Sequence, residues 1–194
     1  MDISALILAG GRSTRMGEDK ALIPWDGIPL LTRVSQVATQ CCEQVYILTP
    51  WAEKYQKIVP EKCQFITETH PGQGPLLGLA EGLEKISSEW VLLLGCDLPL
   101  LQSKILQNWM ENLTQIPDEI LAVVPHQQAR WEPLCAFYRR SALPNLQEFI
   151  QQGGNSFQKW LAQTKVATIP VSQACQEMLW NCNTPIDLEK NTKF

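Results

Sequence analysis

Ile3-Ser4-Ala5-Leu6-Ile7-Leu8-Ala9-Gly10-Gly11-Arg12-Ser13-Thr14-Arg15-Met16-Gly17-Glu18-Asp19-Lys20 is the stretch on which the fold class turns. Residues 3–9 form a short apolar run, the length of a buried strand, and Gly10-Gly11 ends it. A strand that is apolar throughout belongs to a sheet covered on both faces. Behind it stand three glycines, 10, 11 and 17, and three cations, Arg12, Arg15 and Lys20. Glycines let backbone N–H groups approach an anion closely, and Arg and Lys supply the counter-charge a polyphosphate needs.

Outward from this stretch, strand and helix patterns alternate. Residues 30–40 have helical spacing in Leu31, Val34, Val37 and Ala38, and 45–48 and 65–67 read as strands. Pro75 suits a first helical position, and Leu76, Leu79, Ala80 and Leu83 share one face of the helix it opens, through residue 85. Residues 90–94 are a strongly apolar central strand ending at Gly95-Cys96-Asp97, followed by a helix over 101–113 and a strand over 120–124. This order predicts an α/β protein, a three-layer α/β/α sandwich with a Rossmann-like, mostly parallel sheet. The alternation then loosens: a strand at 134–138, a helix at 142–152 stopped by Gly153-Gly154, a helix at 157–162 and a strand at 166–169. Thr184-Pro185 reads as the cap of a last helix, with Asp187 in its first turn. With no repeat, low-complexity tract or linker, residues 1–194 are expected to be a single domain.

Bulk composition narrows the partners. The chain is 45% hydrophobic and 19% charged, with a net charge of −4. That balance argues against a nucleic-acid surface or an anionic membrane surface, both of which use clustered Lys and Arg, but not against a small anionic substrate. No apolar run reaches the roughly 18 residues of a membrane span. The seven cysteines (Cys41, Cys42, Cys63, Cys96, Cys135, Cys175 and Cys182) include no C-x-x-C pair, and only His70 and His126 could join them. Scattered thiols without a leader-like start predict buried cysteines in a reducing cytoplasm rather than disulfides or structural zinc.

In such a sheet, ligands sit beyond the carboxyl ends of the strands. The segments to examine are therefore 10–20, 49–52, 68–78 and 95–99. The first is not a Walker A loop, because Gly17 is followed by Glu18-Asp19, and it lacks the G-x-G-x-x-G dinucleotide spacing. Gly72-x-Gly74-x-x-x-Gly78 has one residue too many for that fingerprint and contains a proline. Asp97, after the central strand, is either a helix cap or a Mg²⁺ ligand. Mg²⁺ accepts one or two carboxylates together with phosphate oxygens and retained waters.

The pattern L-A-G-G-x-S-x-R-M-G-x-D-K over residues 8–20 resembles the opening motif of the molybdenum cofactor guanylyltransferases, of the nucleotidyltransferase superfamily. Gly74-Pro75-Leu76-Leu77-Gly78, Cys96-Asp97-Leu98-Pro99 and Asn181-Cys182-Asn183-Thr184-Pro185 resemble further stretches of the same family. The resemblance implies nucleotide binding by the backbone of Leu8, Ala9, Gly10 and Gly11, with Arg15 and Lys20 on the phosphates. It implies Mg²⁺ on Asp97, and Asn181 and Asn183 facing the acceptor, with residues 130–134 opposite the nucleotide. Where the family reads guanine with an Asp, the matching residue here is Glu68; where it often has an Asn after the second strand, this chain has Thr49. The implied reaction moves GMP from GTP onto a molybdopterin-type cofactor with release of pyrophosphate. It is cytoplasmic and involves neither nucleic acid nor membrane. Transient contact with proteins that donate or receive the cofactor goes with it.

Two other readings stay open from sequence. One is the same chemistry with CTP or a sugar-phosphate acceptor, which Gly10-Gly11 weighs against because the cytidine enzymes tend toward Ala-Ala-Gly-type loops. The other is a non-catalytic nucleotide-binding regulator, which the presence of both Lys20 and Asp97 disfavours.

Overall fold

The computed structural model describes residues 1–10, 19–183 and 187. Its first half contains β1 (Ile3–Leu8), β2 (Pro24–Trp25), β3 (Ile28–Pro29), α1 (Leu30–Cys41), β4 (Gln44–Thr49), α2 (Ala52–Tyr55), β5 (Cys63–Thr67), α3 (Pro75–Lys85) and β6 (Trp90–Gly95). The second contains α4 (Ser103–Asn112), β7 (Ala122–Gln127), β8 (Arg130–Trp131), β9 (Cys135–Arg139), α5 (Leu143–Gln151), α6 (Phe157–Ala162), β10 (Val166–Ile169) and α7 (Gln173–Met178).

The main sheet runs β10-β7-β9-β6-β1-β4-β5, with β8 paired to β7. Four central strands are parallel, in the order β6-β1-β4-β5. Alternate residues feed two cores. Ala5, Ile7, Leu92 and Leu94 pack with Leu31 and Val34 of α1, Leu106 and Trp109 of α4 and Met178 of α7. Leu6, Val91 and Leu93 pack with Leu79 and Leu83 of α3, Leu146 of α5 and Trp160 of α6 on the other face. The result is the expected α/β/α sandwich. Register then places the chemistry. Leu8 stands opposite both Leu48 and Gly95, and Thr49 opposite Thr67, so β1, β4, β5 and β6 end together along one carboxyl edge.

The strand expected near 134–138 is β9, and it runs antiparallel between β6 and β7. That explains the loosened alternation: the chain enters this strand from the short β7–β8 hairpin rather than from a crossover helix. The strand expected over 120–124 runs on to Gln127 to make that hairpin. Two further elements carry signals that composition alone leaves faint. Asp26 and Gly27, at φ 49° and 74°, turn the β2–β3 hairpin, and Ser172 caps α7 by accepting a hydrogen bond from Cys175 N (3.3 Å). Most of the helix expected after Thr184-Pro185 lies outside the described residues; Asp187 accepts a hydrogen bond from Asn183 N (3.0 Å). Among the described residues no helix is long and apolar enough to cross a membrane.

Arg139 fastens β9 to the loop before β7. Its guanidinium is buried, stacks on Trp90 at 4.4 Å, and donates to the carbonyls of Ile120 (3.1 Å), Ile116 (3.2 Å) and Pro117 (3.3 Å). It also pairs with Glu89, but that carboxylate is half exposed, so the ion pair is the smaller term. Arg139→Leu keeps bulk and strands the carbonyls. The expected result is a loss of roughly 2–4 kcal/mol in urea unfolding, without a change in m-value.

Candidate active site

A cavity of about 380 Å³ opens at the carboxyl edge. Leu8, Ala9, Gly10, Lys20, Glu68 and Asp97 all line it, so six residues singled out from sequence converge although they come from four separate segments. Asp19, Cys96, Gly74, Pro75, Gly78 and Leu134 complete much of the wall. Gly11 and Arg15 lie outside the described residues. Thr49 is buried instead of facing the cavity, and its Oγ1 accepts from Trp51 N at 3.1 Å.

The cationic end of the site is built by short-range geometry. Asp19 caps the 3₁₀ turn Lys20–Leu22 by accepting from Ala21 N at 3.2 Å. The buried phenol of Tyr55 donates to the same carboxylate at 2.9 Å, and burial, followed by this hydrogen bond and then the Asp19 charge, pushes that phenol's pKa up, so it remains a donor. With Asp19 so held, Lys20 Nζ reaches Asp97 Oδ2 at 2.8 Å and Asn183 Oδ1 at 2.8 Å. Both Lys20 and Asp97 side chains are only 16% exposed. Cys182 N donates to the Asp97 carbonyl at 3.0 Å, tying the late segment to the end of β6.

Asp97 Oδ1 is buried and has no hydrogen-bond partner among the described residues. A Cβ at residue 95 would lie 2.6 Å from it, so glycine is what leaves this oxygen room. Beside it, burial and then the Asp97 charge push the Cys96 thiol up to about 12, which keeps it a neutral thiol.

At the other end, Glu68 N donates to Thr49 O at 3.1 Å and the side chain turns onto Gly10. A Cβ at residue 10 would fall 1.9 Å from Glu68 Oε2, an overlap no alanine could keep. Glu68 Oε2 is likewise buried without a partner among the described residues. Burial, and then the negative charge of Glu81, hold the Glu68 carboxyl above its ordinary pKa. Ala9 N donates to Leu48 O at 3.0 Å, so the main-chain group it has left for a ligand is its carbonyl.

Asn181 does not line this cavity. It lines a smaller one of about 110 Å³, with Leu98, Glu132, Pro133, Leu134, Cys135 and Leu179. Leu134 borders both. Of the 130–134 stretch, residues 132–134 therefore face this second space, while Trp131 packs against His126 at 4.4 Å. Asp19, Tyr55 and Glu81 were missed by sequence reasoning, although Asp19 stands inside the opening motif.

The sandwich and its edge cavity have the α/β nucleotidyltransferase architecture. The structure of molybdopterin-guanine dinucleotide biosynthesis protein A from Archaeoglobus fulgidus superposes with a TM-score of 0.81 at 23% identity, covering 97% of this chain and 96% of that one. A family model for the MobA-like NTP transferase domain matches residues 5–168, and the chain belongs to that family. A relative from Trichormus variabilis, named as a probable molybdenum cofactor guanylyltransferase, is 52% identical over 187 residues, covering 96% of this chain and 89% of its own. Another of the same name, from Synechococcus elongatus, is 42% identical over 189 residues, covering 96% of each.

Proposed function

We propose that residues 1–194 act as one nucleotidyltransferase domain that transfers GMP from GTP to a molybdopterin-type cofactor, releasing pyrophosphate. The observation that carries this reading is the shared cavity: a Lys20–Asp97 pair stands at one end and a buried, unpartnered Glu68 oxygen at the other. A nucleoside triphosphate has that same polarity, anionic phosphates at one end and a hydrogen-bonding base at the other. The names of the relatives supply the acceptor.

In this reading the acceptor's terminal phosphate oxygen attacks the α-phosphorus in line. The bond from the α-phosphorus to the α,β-bridging oxygen breaks, and pyrophosphate leaves with the electron pair. The attacking phosphate is already an anion, so no base is needed, and catalysis is positioning and electrostatics. Gly10 and the carbonyl of Ala9 border the nucleoside, with Leu8 and Gly11 alongside. Lys20 and Arg15 take the phosphates, and Asn181 and Asn183 face the acceptor. Asp97 Oδ1, a hard, buried oxygen with free lone pairs, fits Mg²⁺, which needs few protein carboxylates when phosphate and water complete its shell. Bound there, Mg²⁺ would supply charge neutralisation on the α- and β-phosphate oxygens.

The test is incubation with each NTP, Mg²⁺ and molybdopterin, scoring pyrophosphate. Release only with GTP and acceptor together is expected; release with another acceptor, or none at all, overturns the proposal. Lys20→Ala should then lower kcat/KM for GTP by about 10²-fold, because a preorganised charge on the leaving group is lost. Its far-UV circular dichroism should match the parent's, and unchanged nucleotide kinetics would refute the role.

A further inference from the structure

Glu81 sits inside α3, only 7% exposed, on a helix whose other inward residues are apolar. A carboxylate is buried in such a place only when its oxygens are satisfied. Here they are satisfied by one short segment. Oε2 accepts from Thr69 N at 3.0 Å, and Oε1 accepts from Thr69 Oγ1 at 2.8 Å and lies 2.8 Å from His70 Nδ1. Burial by itself would raise the Glu81 carboxyl, but the hydrogen bonds from Thr69 and His70 outweigh it and leave the pKa below its ordinary value. The group is therefore an anion acting as a fixed triple acceptor.

Thr69 and His70 immediately follow Glu68. Among the described residues nothing hydrogen-bonds Glu68 Oε2, so that oxygen is held over Gly10 through its backbone. The backbone is fixed on both sides: Glu68 N on Thr49 O, and Thr69 N on Glu81. Beyond them the loop passes Gly72 and Gly74, at φ 83° and 95°, before entering α3, with a 3.4 Å turn contact from Gln73 N to His70 O. Without Glu81 the loop between β5 and α3 loses its anchor at the residue next to Glu68.

We infer that Glu81 is a positioning residue for base selection, holding the 68–74 loop so that Glu68 presents its free oxygen to the base. The inference rests on the nucleotide reading proposed above. Glu81 touches no substrate itself; it acts through Thr69 and Glu68.

The experiment compares GTP with inosine triphosphate, which lacks only the 2-amino group, in the parent enzyme and four variants. Glu81→Leu should raise KM for GTP about tenfold, for the loss of a buried acceptor, while kcat at saturation stays within about twofold of the parent. It should also lower the GTP-to-inosine preference toward that of Glu68→Gln. Glu81→Gln can accept from Thr69 N and donate toward Thr69 Oγ1, and should restore KM to within about threefold of the parent. In the double variant Glu68→Gln/Glu81→Leu the preference should fall no further than in the worse single one, as for residues acting in series. Hydrogen exchange at the Thr69 amide supplies a readout apart from turnover: protected in the parent and the Gln variant, fast in the Leu variant. A purely structural role would lower the melting temperature, leave the base preference intact and give multiplicative effects in the double variant; that pattern overturns the inference. A parent enzyme without GTP preference overturns the nucleotide reading itself, and this inference with it, before any variant is compared.

Discussion

Asp97→Ala is expected to leave a folded protein whose turnover falls by about three orders of magnitude or more, with little recovery at saturating Mg²⁺. The magnitude follows from what the carboxylate is proposed to do. Charge neutralisation by a metal on transferring phosphates is worth several kcal/mol, and each 1.4 kcal/mol is roughly tenfold in rate. The competing explanation is that Asp97 merely anchors Lys20, with which it forms a 2.8 Å pair. Lys20→Ala separates the two. If anchoring were the whole role, the Asp97 and Lys20 variants would lose activity equally and share one Mg²⁺ dependence. If Asp97 holds the metal, its loss is the larger and the apparent Mg²⁺ affinity moves in that variant alone. Asp97→Asn adds a finer test. It retains shape and an oxygen but not the charge, so a fall nearly as large as that of alanine points to the metal. Turnover at the parent rate in Asp97→Ala would sink the assignment.

The part of this site that was legible in the sequence is the part the strands themselves deliver. β1 and β6 are apolar to their ends, so the glycine and the charged residues after them, Gly10, Lys20 and Asp97, stood out against a buried background. Parallel pairing in register then brings those ends to one edge, which alternation of strands and helices predicts. β9 was legible as a strand but not in its direction. Cys135–Arg139 is buried along its whole length, so it shows no alternation from which neighbours could be read. The β2–β3 hairpin carried its own signal in Asp26-Gly27, yet its strands are two residues each, below what periodicity can register.

The supporting residues were harder to read for a different reason. Glu81 lies in an amphipathic helix, where a carboxylate reads as the solvent side. Only the return of the loop at 69–70, twelve residues away in sequence, buries it. Tyr55 belongs to a four-residue helix, and its partner Asp19 is 36 positions distant. Such contacts depend on tertiary closure, which spacing along the chain does not encode.

Guanine preference is the second large expectation, and Glu68 is the group on which it turns. Guanine presents N1–H and the exocyclic amino group as adjacent donors, whereas cytosine offers an acceptor at N3 beside its amino group. A carboxylate accepts both guanine hydrogens and repels cytosine N3. Glu68 Oε2 is buried with no partner among the described residues, so a ligand donor there restores a hydrogen bond that the free site lacks. Buried groups left unpaired by the wrong base cost roughly 1–3 kcal/mol each, which corresponds to about 5- to 150-fold in kcat/KM. The parent protein is therefore expected to favour GTP over CTP by at least that factor. Glu68→Gln reverses half of the pattern: its amide can donate to cytosine N3 and accept from the cytosine amino group, but it sets a donor against a guanine donor. The GTP-to-CTP ratio should fall sharply in this variant while the Mg²⁺ dependence, set some distance away at Asp97, stays as in the parent. Equal use of CTP by the parent would remove the guanine reading. A GTP-selective parent whose selectivity survives in Glu68→Gln would leave the reaction standing and show that a different group reads the base.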